Sequence, residues 1–259
     1  MGTRDSHEPG TFSWTELITS DQDAAKKFYG AVLGWGYEDN DMPDDAGVYS
    51  MGTVDGNHVA GMVKNTNMPP HWNSYVAVES ADDAANKAKE GGANIMMEPF
   101  DVMEAGRMAV IQDPSGAMFS IWEARDHPGA GLVNAHGAMT WNDLQTHDIE
   151  KAVEFYTELF GWEVAPLTED DSDSDRMVIK NGERLNGGMA KMPEELGTEV
   201  PPHWLTYFAV DDIDAATAAI GESGGEVIAG PLDIPAGKLA VAADPQGAVF
   251  GVFAGDLDD

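Results

Sequence analysis

The segment FYGAVLGW at residues 28–35 returns as FYTELFGW at residues 155–162. Each copy closes a longer shared stretch, WTELITSDQDAAKKFYGAVLGW from Trp14 and WNDLQTHDIEKAVEFYTELFGW from Trp141. The two stretches agree at both end tryptophans and at Leu, Thr, Asp, Ala, Phe, Tyr and Gly positions between them, far more often than unrelated segments would. A repeat of this kind predicts that one structural unit occurs twice in the chain.

Two further segments recur in the same order. PPHW occupies residues 69–72 and 201–204, and a DPxG turn occupies residues 113–116 and 244–247. Three repeated blocks in one order indicate an internal duplication, and 259 residues are enough for two domains that each bury a core. We predict an N-terminal module at 8–124, a Gly- and Pro-containing linker at 125–137 and a C-terminal module at 138–256.

The start of each repeat shows the pattern of a strand followed by a helix. Residues 14–18 alternate in hydropathy as a strand does, and apolar residues after Asp21, such as Phe28, recur at helical spacing. Asp21 predicts the N-cap of this helix and Gly34 predicts its end. Short strands follow, and the sequence from Trp72 repeats the order with a helix capped by an acidic residue. Each module therefore contains two strand–helix–strand–strand–strand units.

The charge of the chain is strongly negative. Asp and Glu number 46 against 14 Lys and Arg, which gives a formal net charge of −32. Such a surface repels polyanions, so we expect no nucleic-acid partner and no membrane partner. The favoured interpretation is an acidic, halophilic protein from a high-salt organism, where ions screen the self-repulsion. A dedicated acidic face for a basic partner is the alternative.

The cysteine content and the hydrophobic pattern limit which cellular location and which chemistry we expect of the chain. The chain has no cysteine, which excludes disulfides, thiolate nucleophiles and thiolate metal sites. No apolar run near the start has the form of a signal peptide, and no segment approaches the length of a membrane span. We expect a cytoplasmic protein.

The organisation resembles the vicinal oxygen chelate superfamily, which includes glyoxalase I, bleomycin-resistance proteins and extradiol dioxygenases. The likeness is carried by SDQDAAKKFYGAVLGW and HDIEKAVEFYTELFGW, and by the turns DPSGAMF and DPQGAVF. It is strongest to the glyoxalase-like subgroup with two modules. The resemblance implies an α+β fold of four βαβββ units, paired into two tandem modules with curved mixed sheets. If the protein is an enzyme, it implies a lyase, isomerase or dioxygenase.

Metal-dependent members of this superfamily hold a divalent ion with His, Gln or Glu on the concave face of a sheet. The resemblance places the corresponding positions of this chain at Trp14, Asn73 and Ser120 in the first module and at Trp141, Leu205 and Gly251 in the second. An indole has no free lone pair for a metal, and the other side chains supply almost no donors. We therefore predict no cofactor and no metal.

A displaced metal site is the alternative. Strand alternation turns Glu16 to the same face as Trp14, and Asp143 to the same face as Trp141. His71 and His203 precede the expected fifth-strand position by two residues and could face inward as well. A divalent metal held by Glu16 and His71, or by Asp143 and His203, would support metal-dependent chemistry. The competing interpretation is that each PPHW histidine bonds the backbone.

The favoured prediction is a protein that binds a small organic molecule in aromatic-lined clefts. The predicted ligand-binding residues are Trp14, Asn73, Ser120, Trp122, Trp141 and Phe253. Glu16 and Asp143 are the predicted catalytic residues, since a buried carboxylate there could act as a general base or bind a hydroxyl group of the ligand. A third hypothesis is a structural module whose clefts are collapsed. Both a monomer and a homodimer are compatible with paired modules.

Overall fold

The computed structural model describes residues 2–43, 46–167, 176–193, 197 and 199–257. The helices in this part of the chain are α1 (Gln22–Leu33), α2 (Ala81–Glu90), α3 (Ile149–Phe160) and α4 (Ile213–Glu222). The strands of the first half are β1 (Phe12–Thr19), β2 (Gly36–Asp41), β3 (Val48–Val54), β4 (Asn57–Lys64), β5 (His71–Ala77), β6 (Asn94–Val102), β7 (Gly106–Gln112) and β8 (Met118–Ala124). Those of the second half are β9 (Met139–Thr146), β10 (Glu163–Pro166), β11 (Arg176–Asn181), β12 (Arg184–Lys191), β13 (His203–Ala209), β14 (Glu226–Ile234), β15 (Gly237–Ala243) and β16 (Val249–Gly255).

The strands form two sheets with the same topology. The strand order is β2-β3-β4-β1-β5-β8-β7-β6 in the first sheet and β10-β11-β12-β9-β13-β16-β15-β14 in the second. In the first sheet, β1 runs parallel to β4 and antiparallel to β5, and β5 runs parallel to β8. Each sheet is thus two βαβββ units joined edge to edge. This confirms the predicted α+β fold of four units in two tandem modules.

The first helix of the N-terminal module begins and ends where the sequence predicts. The Asp21 side chain accepts a hydrogen bond from the backbone amide of Ala24, at 3.1 Å, and Gly34 ends α1 in the left-handed region with φ of 72°. The predicted acidic cap of α2 is wrong. Ser80 is the N-cap and accepts from the Asp83 amide, at 3.2 Å, because a short hydroxyl reaches this amide as well as a carboxylate does. No helix in the described part of the chain is long and apolar enough to cross a membrane.

The aromatic residues of the repeated segment are core residues, as predicted. Phe28, Tyr29, Phe155 and Tyr156 are all buried. The two tyrosines also join the modules. The Tyr29 hydroxyl reaches the second module, and the Tyr156 hydroxyl reaches Asp113 in the first, at 2.9 Å. The sequence did not predict this second role.

A polar cluster lies between the two sheets. The Ser74 hydroxyl donates to the Asn142 side chain at 2.9 Å, and the Thr206 hydroxyl donates to the same oxygen at 2.9 Å. Thr15 and Thr206 hydroxyls lie 3.3 Å apart, and all four residues are buried. Because side chains alternate along a strand, the neighbours of Thr15, which are Trp14 and Glu16, point to the opposite, concave face of the first sheet. The clefts therefore face away from the module interface.

Candidate functional site

The pairing of the central strands brings the predicted residues of the first module onto one face. Trp14 on β1 lies opposite Tyr75 on β5, and Tyr75 lies beside Ser120 on β8. Glu16 lies opposite Asn73 in the next row. We call this concave face the first cleft, lined by Trp14, Glu16, Tyr49, Asn73, Tyr75, Ser120 and Trp122.

The polar groups of the first cleft bond one another. Glu16 accepts a hydrogen bond from the Tyr75 hydroxyl at 3.2 Å and another from Tyr49. The Trp14 indole donates to the Tyr49 hydroxyl at 3.2 Å, and the Asn73 amide donates to Ser120 at 2.8 Å. Burial raises the pKa of Glu16, and its two hydrogen bonds act in the opposite direction. The network leaves the Glu16 carboxylate occupied by protein donors.

The first cleft is also filled and covered. Trp14 is 4% exposed and Trp122 is 6% exposed. The ring of His127, from the linker, lies edge-on to Trp14 with 4.6 Å between ring centroids, and its backbone carbonyl accepts from the Trp122 indole at 2.9 Å. The amide of Ala130 then bonds the Ser13 carbonyl at 2.7 Å, which fixes the linker over the cleft. In this module the aromatic side chains pack against protein, so the predicted aromatic wall has no exposed face of any size.

The second module presents the same face with different residues. Trp141 on β9 lies opposite Tyr207 on β13, Tyr207 lies beside Gly251 on β16, and Asp143 lies opposite Leu205. We call this face the second cleft, lined by Trp141, Asp143, Arg176, Leu205, Tyr207, Gly251 and Phe253.

The second cleft keeps an accessible apolar wall. Trp141 and Phe253 are half-buried, whereas their counterparts Trp14 and Trp122 are buried. Leu232 on the edge strand β14 pairs with Leu239, which pairs with Phe253, so these side chains share the concave face. Leu232 is 52% exposed. Apolar surface that stays in contact with water on a concave face is typical of a small-molecule site.

A carboxylate lies at the base of this wall. The Trp141 indole donates to the Asp143 side chain at 2.7 Å, and Asp143 is buried. Burial raises the pKa of Asp143, while the indole hydrogen bond and the nearby Arg176 charge act in the opposite direction. Arg176 is the counterpart of Tyr49 in the first module. Arg176 lies two residues before the residue that pairs with Gly188, and Tyr49 lies two residues before the residue that pairs with Gly61, the equivalent glycine. A buried carboxylate and an exposed guanidinium therefore lie at one end of the apolar wall.

The model of the Glyoxalase/Bleomycin resistance protein/Dioxygenase superfamily matches residues 11–121 and 137–252. The chain belongs to this superfamily. Each match covers one of the two sheets, so the glyoxalase-superfamily module is present twice.

Relatives of known sequence span nearly the whole chain. It is 43% identical to "Putative glyoxylase CFP32" of Mycobacterium tuberculosis, over 98% of both chains. It is 33% identical to "Anthracycline biosynthesis protein DauV" of a Streptomyces species, over 94% of this chain and 93% of the relative. Both are similar to this chain over both modules.

Solved structures share the fold at low identity. The Mn(II)-bound glyoxalase from Novosphingobium aromaticivorans aligns with a TM-score of 0.66 and 17% identity, over 98% of this chain and 83% of the other. The 2,3-dioxygenase LapB from Pseudomonas sp. KL28 aligns with a TM-score of 0.68 and 16% identity, over 98% and 96%. At this identity the likeness concerns the fold alone.

The residues at the superfamily's metal positions do not fit a metal ion. The indoles of Trp14 and Trp141 donate hydrogen bonds to Tyr49 and Asp143, and indole offers no lone pair. Among the described residues, no three His, Asp or Glu side chains lie close enough together to hold a metal ion. We derive no catalytic step through a metal here.

The two histidines of the displaced-site alternative bond the backbone. His71 Nδ1 lies 2.8 Å from the Pro69 carbonyl oxygen, and His203 Nδ1 lies 2.9 Å from the Pro201 carbonyl oxygen. This is the arrangement expected of a loop that enters a strand. Neither imidazole bonds Glu16 or Asp143 in the described structure.

Sequence reasoning missed six contributors to the clefts, which are Tyr49, Tyr75, His127, Arg176, Tyr207 and Leu232. Tyr75 and Tyr207 stand at the same place in the two PPHWxxY segments, two residues after Asn73 and Leu205, so strand alternation could have identified them. His127 lies in the linker, where no periodicity reports which way a side chain points.

A separate groove of about 340 Å³ lies between α2 and α3, away from both clefts. It is lined by Lys87, Glu90, Gly91, Phe155, Glu158 and Leu159. None of these is a predicted site residue.

Proposed function

We propose that the second module binds a small organic molecule with an aromatic body, on the concave face between Trp141 and Phe253. The observation that carries the proposal is the difference between the two clefts. The wall made by Trp141, Phe253 and Leu232 keeps contact with solvent, while its counterpart in the first module is packed beneath the linker. Stacking on the half-buried aromatic side chains of this wall favours a flat, apolar ligand.

Asp143 has one of two roles in this proposal. A buried carboxylate with a raised pKa accepts a hydrogen bond from a ligand hydroxyl, or removes a proton from it as a general base. The equivalent Glu16 is occupied by two tyrosine hydroxyls, so it is not the better candidate for either role. We assign the first module a structural role that supports the second.

The names of relatives agree with a small organic substrate. One relative is named a glyoxylase and another an anthracycline biosynthesis protein, and both share 33% identity or more with this chain. We extend to this protein only the coarser property, the handling of small organic molecules in a glyoxalase-superfamily module, and we propose that it needs no metal.

The test is equilibrium dialysis of the full chain against a neutral two-ring aromatic, 2-ethylnaphthalene, in a buffer of high ionic strength. Trp141→Ala is expected to weaken binding about tenfold or more, since it removes the largest apolar contact of the second cleft. Trp14→Phe, a milder change at the equivalent buried position of the first cleft, is expected to leave binding unchanged. The proposal would be refuted by saturable binding that is equally tight in Trp141→Ala, or by no binding to the wild-type protein.

A further inference from the structure

We propose that the Tyr207 hydroxyl is the polar recognition group of the second cleft, and that the ligand is an aromatic molecule carrying a carbonyl oxygen next to a hydroxyl group. This inference rests on the proposed function and names the ligand chemistry of the same site. Tyr207 belongs to none of the sequence-predicted site residues.

The Tyr207 ring is buried, and its hydroxyl has no hydrogen-bond partner in the described part of the chain. The residue is 6% exposed, and its ring lies over Gly251, where any side chain would collide with it. In the described part of the chain no residue bonds the hydroxyls of Tyr207 and Tyr37, whereas Tyr29, Tyr49, Tyr75 and Tyr156 all have partners. Unlike the hydroxyl of Tyr37, that of Tyr207 is not fully buried, so it remains available to a molecule bound in the second cleft.

Tyr75, the equivalent tyrosine in the first module, shows which hydrogen-bond partners Tyr207 lacks. The Tyr75 hydroxyl donates to Glu16 at 3.2 Å. Burial raises the pKa of Tyr75, and the side chains of Asn73 and Ser120, which bond each other, act to lower it. Each of these partners is replaced in the second module. Leu205 stands in place of Asn73, Gly251 in place of Ser120, and the shorter Asp143 in place of Glu16.

Asp143 does not compensate for these losses. Its carboxylate accepts from the Trp141 indole at 2.7 Å, whereas Glu16 accepts from the Tyr75 hydroxyl in the first module. The second module has therefore kept the tyrosine and lost its partners. A phenylalanine would fill the same space, so packing alone does not account for the hydroxyl of Tyr207.

The charges around Tyr207 define what it can bind. Burial and the Asp143 carboxylate raise the pKa of Tyr207, so the hydroxyl keeps its proton and is a donor at neutral pH. Its complement on a ligand is an acceptor such as a carbonyl oxygen. The ionised Asp143 carboxylate is an acceptor, and its complement is a hydroxyl donor.

The two polar groups are neighbours on one face. Tyr207 lies opposite Trp141, and Asp143 lies two residues along the same strand as Trp141. A ligand whose carbonyl and hydroxyl are close together on one ring meets both groups, while its rings lie against Trp141 and Phe253. An aromatic hydroxyketone has this chemistry.

The test compares two ligands of the same shape on the full chain. 1-Hydroxy-2-acetylnaphthalene carries both oxygens and 2-ethylnaphthalene carries neither. Tyr207→Phe is expected to weaken binding of the hydroxyketone about tenfold, because the ligand carbonyl then lacks a donor, and to leave binding of 2-ethylnaphthalene unchanged. Asp143→Asn is likewise expected to weaken binding of the hydroxyketone and to leave binding of 2-ethylnaphthalene unchanged.

Thermal denaturation separates recognition from a structural role. Tyr207→Phe is expected to leave Tm unchanged, since it breaks no hydrogen bond within the protein. Tyr75→Phe, the matched variant, is expected to lower Tm and to leave binding of the hydroxyketone unchanged. A fall in Tm for Tyr207→Phe as large as that for Tyr75→Phe would overturn the inference, because the hydroxyl would then be structural.

The binding outcomes also separate the inference from the proposed function. If Trp141→Ala abolishes binding of both ligands while Tyr207→Phe affects neither, the inference is wrong and the proposed function stands. If the wild-type protein binds neither ligand, both are wrong.

Discussion

The hydroxyl of Tyr29 in the first module donates a 3.0 Å hydrogen bond to the carboxylate of Asp244 in the second. The Tyr156 hydroxyl of the second module likewise donates to the carboxylate of Asp113 in the first module, at 2.9 Å. Each tyrosine belongs to the repeated FYxxxxGW segment, and each aspartate opens a DPxG turn. The repeated segments thus recognise each other across the module boundary.

The tryptophans that end the repeated segment behave alike. The Trp35 indole donates to the carbonyl of Gly137, just before β9, at 2.6 Å, and the Trp162 indole donates to the carbonyl of Gly10, just before β1, at 2.8 Å. The Trp162 contact joins the two modules, and the Trp35 contact joins the first module to the last residue of the linker. The duplication therefore supplies both halves of a reciprocal interface, which explains why the segment is kept in both copies.

We predict that removing the Tyr29 hydroxyl weakens the whole chain. Tyr29→Phe leaves Asp244 Oδ2 and the Trp72 indole, which donates to Tyr29 at 3.0 Å, without a partner, while Asp244 Oδ1 keeps its backbone hydrogen bonds. The expected loss is about 1–3 kcal/mol in the free energy of unfolding, measured by denaturant titration. Tyr37→Phe is the control, since the Tyr37 hydroxyl is buried without a partner in the described structure and its removal breaks no bond. Equal effects of the two variants would contradict the prediction.

Local features of the fold could be predicted from the sequence because they depend on neighbouring residues. The Asp21 cap and the Gly34 stop each act within one helical turn, and the burial of Phe28 follows from helical periodicity. The Tyr29–Asp244 contact joins residues far apart in the chain. No local pattern reports such a partner.

The face of each site residue could be predicted, but its exposure could not. Strand alternation places Trp14 and Trp141 on the concave faces, where the structure has them. The difference in their exposure depends on His127, which the linker carries over the first cleft. A linker has no periodicity, so its path is set by tertiary contacts such as that between Ala130 and Ser13.

We predict that the Asp143 charge opposes folding at neutral pH. Because the pKa of Asp143 in the folded protein lies above its ordinary value of 3.8, the folded state binds the proton more tightly than the unfolded chain does. Stability from this group is present at low pH and is lost as pH rises through the folded pKa. Asp143→Asn has no titrating carboxylate at this position. The difference in the free energy of unfolding, variant minus wild type, should therefore increase from acidic to neutral pH.

The measurement is urea denaturation of both proteins at a series of pH values from about 4 to 7, at constant high salt. Trp141→Phe serves as the control because it keeps the carboxylate and removes the hydrogen bond that lowers its pKa. This variant should lose more stability than wild type as pH rises. A difference between Asp143→Asn and wild type that does not change with pH would sink the prediction.

We predict that His127 holds the first cleft closed. Its ring packs edge-on against Trp14 and lies 5.9 Å from Trp122, measured between ring centroids. His127→Ala removes these contacts, and we expect a loss of about 1–2 kcal/mol in stability together with greater quenching of tryptophan fluorescence by acrylamide. His136→Ala is the control, since His136 is exposed in the same linker. Quenching that is the same in both variants would show that another contact closes the cleft.

We predict that added salt continues to stabilise the folded chain at concentrations at which ordinary proteins no longer respond. The net charge of −32 sets carboxylates against one another over the whole surface, and unfolding relieves part of that repulsion. Raising KCl from about 0.1 M to about 1 M shortens the Debye length from about 10 Å to about 3 Å, so Tm should rise steadily. Scanning calorimetry at several KCl concentrations measures this, with sucrose of equal osmolality as the control for solvent exclusion. Because the repulsion is screened by ions alone, sucrose should raise Tm much less, and an equal rise in sucrose would mean that surface charge is not the cause.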